Sequence, residues 1–157
     1  MTPSTRQPAD LTLHWLICAA MLTFLIVYNI ICQVWLIEHR LTLPEADRIV
    51  IRSVLYVIAI ILFPLTNLVR HIFLRLNQTM PSPKSAPQRY LMTIIVTQSL
   101  IEAISLFGPV MFLLGDDFNT LYIFSVLGVA GILLHRPQVN ELQTIERALS
   151  QNPDHPT

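Results

Sequence analysis

The sequence predicts an all-α membrane protein: four transmembrane helices arranged as two antiparallel hairpins, followed by a short C-terminal amphipathic helix. Three observations carry that expectation. Hydrophobic residues make up 53% of the chain and charged residues 13%, where a soluble domain carries about 25% charged residues. The apolar residues come as long blocks rather than as amphipathic stripes. Those blocks are rich in Ile, Leu and Val and lack the alternation of a membrane-barrel strand. Because hydrocarbon offers the backbone no hydrogen-bond partner, each block reads as a helix.

Residues 1–12 form an N-terminal segment, expected in the cytoplasm. The first block, residues 13–37, exceeds the apolar core of a secretory signal, which runs to about 7–15 residues. It lacks a small-residue cleavage site, so it is expected to stay as the first span. Cys18 and Cys32 both lie in it, about four turns apart on one helix and out of disulfide reach. A short mixed-charge connection follows, in which Pro44-Glu45-Ala46-Asp47 reads as a turn into a helix start. The second block covers residues 49–69 and completes the first hairpin, residues 13–76. Residues 77–88 carry Pro81, Pro83 and Pro87 among polar side chains and predict a non-helical cytoplasmic linker. The second hairpin, residues 89–136, joins blocks at 90–114 and 118–134. Between them, Gly115 is the expected helix terminator and Asp117 the expected N-cap. In residues 137–157, Val139, Leu142, Ile145 and Leu149 fall at helical spacing. This predicts a short helix lying along the membrane surface, then a tail containing Pro153 and Pro156.

Charge sets the expected orientation. With the N-terminus inside, the cytoplasmic face holds Arg6, Arg70, Arg75, Lys84, Arg89, Arg136 and Arg147, and the outer face holds Arg40, Arg48 and Arg52. The excess of inner cations places both termini in the cytoplasm. Ten basic residues balance ten acidic ones, so no basic surface for nucleic acid is expected. The lipid bilayer is the expected partner, together with a membrane-protein subunit or a second copy of the chain.

Glu102 is the residue with the most chemistry. It is an acid in the middle of the third apolar block, where a charged group costs about 2.5–3.5 kcal/mol and where ionisable residues mark function by default. Gln98, Glu102, Ser105 and Pro109 fall at spacings of four, three and four and so share one helix face, with Ser99 beside them. Pro109 lacks an N–H and frees the carbonyl of Ser105. Such a strip suits proton or cation handling, with Gln98, Ser99 and Ser105 as auxiliary ligands. It suits helix glue as well, through Glu102 bonding Ser125 on the fourth helix or Tyr28 on the first. Gly128 and Gly131 offer a small-residue face for close helix contact. The histidines, His14, His39, His71, His135 and His155, sit near helix ends and read as interface anchors, as do Trp15, Trp35, Tyr90 and Tyr122.

Gln98-Ser99-Leu100-Ile101-Glu102 followed by Leu106-Phe107-Gly108 resembles the carboxylate helix of rotary-ATPase proteolipid subunits. There an acid is followed five residues later by an aromatic and then Gly. The resemblance covers about a dozen residues and implies that Glu102 carries a translocated proton or sodium ion. The Gly-rich packing face of those subunits is missing from the other helices, and Pro109 departs from their pattern. The second hairpin, ending in Leu133-Leu134-His135-Arg136-Pro137, is similar to small bacterial four-helix membrane proteins. These similarly carry Leu-Ile-Glu in helix three and Arg-Pro after helix four. That resemblance implies a bacterial inner-membrane location and no particular activity.

Enzyme signatures are missing: there is no phosphate loop, metalloprotease His-Glu pair or nucleophile elbow. No cofactor and no metal are expected. The function expected from sequence is a non-enzymatic accessory or scaffold subunit of a membrane assembly. The alternative is a proton- or cation-coupled transport component that uses Glu102.

Overall fold

The computed structural model describes residues 11–81 and 83–151. Every regular element among them is helical: α1 (Thr12–Val34), a 3₁₀ turn (Leu36–Glu38), α2 (Glu45–Thr79), α3 (Ala86–Ser105), α4 (Phe107–Leu113), α5 (Phe118–Leu134) and α6 (Val139–Ser150). Three stretches are long and apolar enough to cross a membrane: α1, α2, and α3 with α4. A fourth is added if α5 and α6, bent by 46° at their junction, count as one span. The readings for residues 1–10 and 152–157, including Arg6, His155, Pro153 and Pro156, fall outside the described residues.

Local chemistry sets the ends. α2 opens directly after Pro44, with Glu45 and Asp47 in its first turn, where acids suit the positive end of the helix. It then continues through Arg70 to Thr79 as a 35-residue helix, longer than the expected second span, and Pro64 is accommodated in its interior. At the rise of an ideal helix it is about 50 Å long, against a hydrocarbon core of about 30 Å. The linker between α2 and α3 is correspondingly shorter than expected. Ser85 and Gln88 form a capping box, with proline in the first turn of α3, so Pro87 opens a helix where it was expected to prevent one. Asp117 caps α5 as expected, accepting from the Thr120 N–H at 3.1 Å. Gly115 takes a φ of 92°, a conformation that L side chains rarely adopt. The third block breaks at Leu106, between α3 and α4, three residues ahead of Pro109.

α3 is the centre of the molecule. Half of the most apolar part of the α3–α4 stretch is buried, against 22% for α1 and 11% for α2. α1 packs on α3 and α5, and α2 packs on α3 and α6. Contact between α1 and α2 is sparse, so consecutive helices 1 and 2 do not form a packed pair. The reason lies in α3 itself, which carries Thr93, Thr97, Gln98, Glu102 and Ser105, all buried. A helix with that many polar groups is best covered on all sides, whereas the apolar outer faces of α1 and α2 suit lipid.

α6 differs from its expected placement. Its apolar residues Leu142 and Ile145 are fully buried in a cluster with Leu11, Cys18, Tyr90 and Ile94. The helix folds onto the ends of α2 and α3 rather than presenting that face to a membrane surface. Val139, at the edge of the stripe, remains 47% exposed.

Candidate functional site

α3 brings Gln98, Glu102 and Ser105 to one buried face. Glu102 is 6% exposed, and neither carboxyl oxygen has a hydrogen-bond partner. The donors expected to meet it are engaged elsewhere. Tyr28 donates its hydroxyl to Ser105 Oγ at 2.8 Å, and Ser105 Oγ donates to the backbone carbonyl of Glu102 at 2.9 Å. Ser125 Oγ lies 2.8 Å from the Leu121 carbonyl and 3.0 Å from Asn29 Oδ1, which ties α5 to α1. Neither Ser125 nor Tyr28 therefore bonds the carboxyl, contrary to the expected helix-glue contacts. Ser99 is exposed, one residue off the buried face, and does not join the group.

Gln98 lies one turn from Glu102 toward α6. Its Nε2 approaches Cys18 Sγ at 3.3 Å, the Ile132 carbonyl at 3.4 Å and the His135 carbonyl at 3.3 Å. Its Oε1 is buried without a partner. The close approach of α5 depends on two glycines. A Cβ at Gly128 would sit 2.5 Å from Ser105 Cβ, and one at Gly131 would sit 2.6 Å from Ile101 Cγ2. The small-residue face of α5 is thus spent inside the chain, against α3.

A second polar cluster closes the α6 end. Arg70, 5% exposed, donates to the His135 carbonyl at 2.6 Å and to the Arg136 carbonyl at 3.1 Å. It also pairs with Glu141, with Nη2 to Oε2 at 2.6 Å and Nε to Oε1 at 3.2 Å. Tyr90 donates to Glu141 Oε2 at 2.6 Å and accepts from the Gln138 N–H at 2.8 Å. His135 directs Nδ1 at the Gly131 carbonyl, 2.9 Å away, so Nδ1 carries the proton and Nε2 is left with its lone pair. That Nε2 is buried and has no partner. Burial, and then the positive charge of Arg70, push His135 below its ordinary 6.5, against the opposing pull of the Gly131 bond and of Glu141. A cavity of about 260 Å³, lined by Asn67, Arg70, His71, His135, Gln138 and Glu141, opens beside this cluster.

At the opposite end, the three arginines assigned to the outer face converge on one connection. Arg40 donates to the carbonyls of Phe112 and Asp116 and stacks over the Phe112 ring at 3.9 Å. Arg48 donates to the Gly115 carbonyl at 2.6 Å, and Arg52 pairs with Asp116 at 3.1 Å.

The local sequence pattern picks out the Glu102 strip but not the Arg70–Glu141–Tyr90–His135 cluster. Its members are separated by up to 71 positions, and each looks like an ordinary end-of-helix residue in its own segment. Among the described residues no group of three or more His, Cys, Asp or Glu is placed to hold a metal ion. No family model, curated protein or solved structure matches the chain.

Proposed function

We propose that this chain is an integral four-span membrane protein in which Glu102 handles a proton or a cation within the bundle. In this reading α5 supplies the fourth crossing, both termini face the cytoplasm, and the membrane is a bacterial inner membrane. The protein is a non-enzymatic component of a membrane assembly. The observation that supports the reading is the Glu102 carboxyl, enclosed by its own chain and without a partner while the Tyr28, Ser105 and Ser125 hydroxyls bond other groups. A buried polar group without a partner costs about 1–3 kcal/mol. Folds keep such groups where function uses them. Helix glue would require the carboxyl to be bonded, and a subunit contact through Glu102 would require it to be exposed.

A second reading, a scaffold subunit, draws support from α2, whose long apolar face is left uncovered over most of its length and offers a partner helix room to pack.

Infrared spectroscopy of the protein in liposomes tests the leading reading. A protonated-carboxyl C=O band that is lost in Glu102→Gln and that changes with pH or with added cation is the expected result. A band insensitive to both, together with full activity of the assembly in Glu102→Gln, would rule it out. A stoichiometric partner recovered after mild detergent extraction, lost when α2 face residues such as Ile60 and Val57 become Ser but kept in Glu102→Gln, would favour the scaffold.

A further inference from the structure

Four buried polar atoms without partners belong to one stretch of α3 and to the residue that ends α5 beside it. They are His135 Nε2, Gln98 Oε1 and the two carboxyl oxygens of Glu102. Gln98 stands at the level of His135, since its amide reaches the His135 carbonyl, and Glu102 follows one turn further along α3, a rise of about 6 Å. Of these residues, His135 also lines the cavity at the α6 end. More than about 90% of buried polar groups in folded proteins are satisfied, by protein or by ordered water. Ordered water in protein interiors characteristically bonds buried polar groups that have no protein partner.

We infer that the cavity beneath α6 is the entrance of a proton path to Glu102, with His135 as the entry relay and Gln98 as the polar group between them. The inference rests on the proton-handling reading of Glu102. A hydronium ion in the cavity gives its proton to the Nε2 lone pair and leaves as water, while Nδ1–H stays on the Gly131 carbonyl. The imidazolium then releases the Nε2 proton inward, through water held at Gln98 Oε1, to a carboxylate oxygen of Glu102. His135 returns to its starting tautomer, and the O–H bond formed on Glu102 balances the N–H bond broken.

The surroundings suit a relay that does not trap its proton. Arg70 and His71 from α2 and Glu141 from α6 face the cavity with His135. From α1, Cys18 meets Gln98 and Tyr28 lies near Glu102. Arg70 is held in place by Glu141 and two carbonyls, so it stands by as a fixed positive charge. That charge and the burial of the ring weaken the hold of His135 on a second proton, which makes its imidazolium a ready donor.

The test is the rate at which the Glu102 carboxyl exchanges hydrogen for deuterium, followed by its infrared C=O band after a rapid change of liposome buffer to D₂O. His135→Gln should slow that exchange by about a hundredfold, the lower end of what a positioned proton donor contributes, with the band position unchanged. Asn67→Leu, which replaces a polar group of the cavity lining by an apolar one, should slow it as well. Far-ultraviolet circular dichroism of each variant confirms that the helices are retained. Wild-type exchange rates in both variants would overturn the path while leaving Glu102 as an exchanging acid. A wild-type protein with no exchanging carboxyl band at all would overturn the proton-handling reading, and the path with it.

Discussion

Gly128 and Glu102 make opposite demands on the middle of the bundle. At Gly128 space is already exhausted, with Ser105 Cβ and Leu25 Cδ1 within 2.9 Å of any added methyl. Gly128→Ala should therefore destabilise by about 1–3 kcal/mol through overpacking, seen as a lower thermal midpoint in detergent. At Glu102 an unsatisfied group is held in place, so its removal should relieve the fold. Glu102→Leu is expected to leave stability unchanged or to raise it by about 1–3 kcal/mol, the cost of an unbonded buried polar group, while abolishing proton exchange. A helix-glue role predicts the reverse, a loss of stability on going to Leu. The strip of Gln98, Glu102 and Ser105 was readable from spacing alone, because a 3.6-residue period fixes which side chains share a face. Which donors each side chain chooses was not readable. Tyr28 bonds Ser105, and Ser125 bonds Asn29, through the relative rotation of α1, α3 and α5, which no single helix encodes.

α6 shows the same limit at the level of an element. Its period announces an amphipathic helix, and that helix is present, but a period does not say whether lipid or protein covers the apolar face. The deciding partners, Tyr90 and Arg70, lie far away in sequence. The proline-rich linker shows how a breaker signal can also be a starter: Ser85 and Gln88 spell a capping box that makes Pro87 an ordinary first-turn residue. The latch that holds α6 is testable. Glu141→Ala would leave the Arg70 guanidinium buried without its counter-ion, a loss of about 3–5 kcal/mol. It should appear as faster amide hydrogen exchange throughout α6 while α3 stays protected. The same end should respond to acid. His135 takes up a proton less readily in the fold than in the unfolded chain. Its contribution to stability is therefore complete above 6.5 and is lost as pH falls below that value toward its lowered folded one. Thermal midpoints should drop over that window in the wild type and drop less in His135→Gln.

Across the whole molecule, the two ends of the bundle are closed by different chemistry. One is shut by a buried ion pair and an apolar cluster in which Leu11 and α6 meet. The other is shut by three arginines that hold one connection largely through its main-chain carbonyls. Composition revealed the membrane character and the helical class, since block length and low charge are properties of each segment. It did not reveal that α1 and α2 lie against α3 rather than against each other. That arrangement depends on which helix has polar groups to hide. Replacing Arg40, Arg48 and Arg52 together by Gln should loosen the 112–116 connection, detected as new cleavage there by a protease added to the detergent-solubilised protein.

Gly115 sits so close to the Leu41 carbonyl that a Cβ would come within 2.4 Å of it, which leaves that corner no slack for added sequence. Engineers wishing to attach a fluorescent reporter or an affinity tag should therefore append it at the N- or C-terminus, since Leu11 and α6 meet at the far pole. An epitope spliced beside Gly115 would prise the arginine staple apart and yield a misleading map of which side faces out.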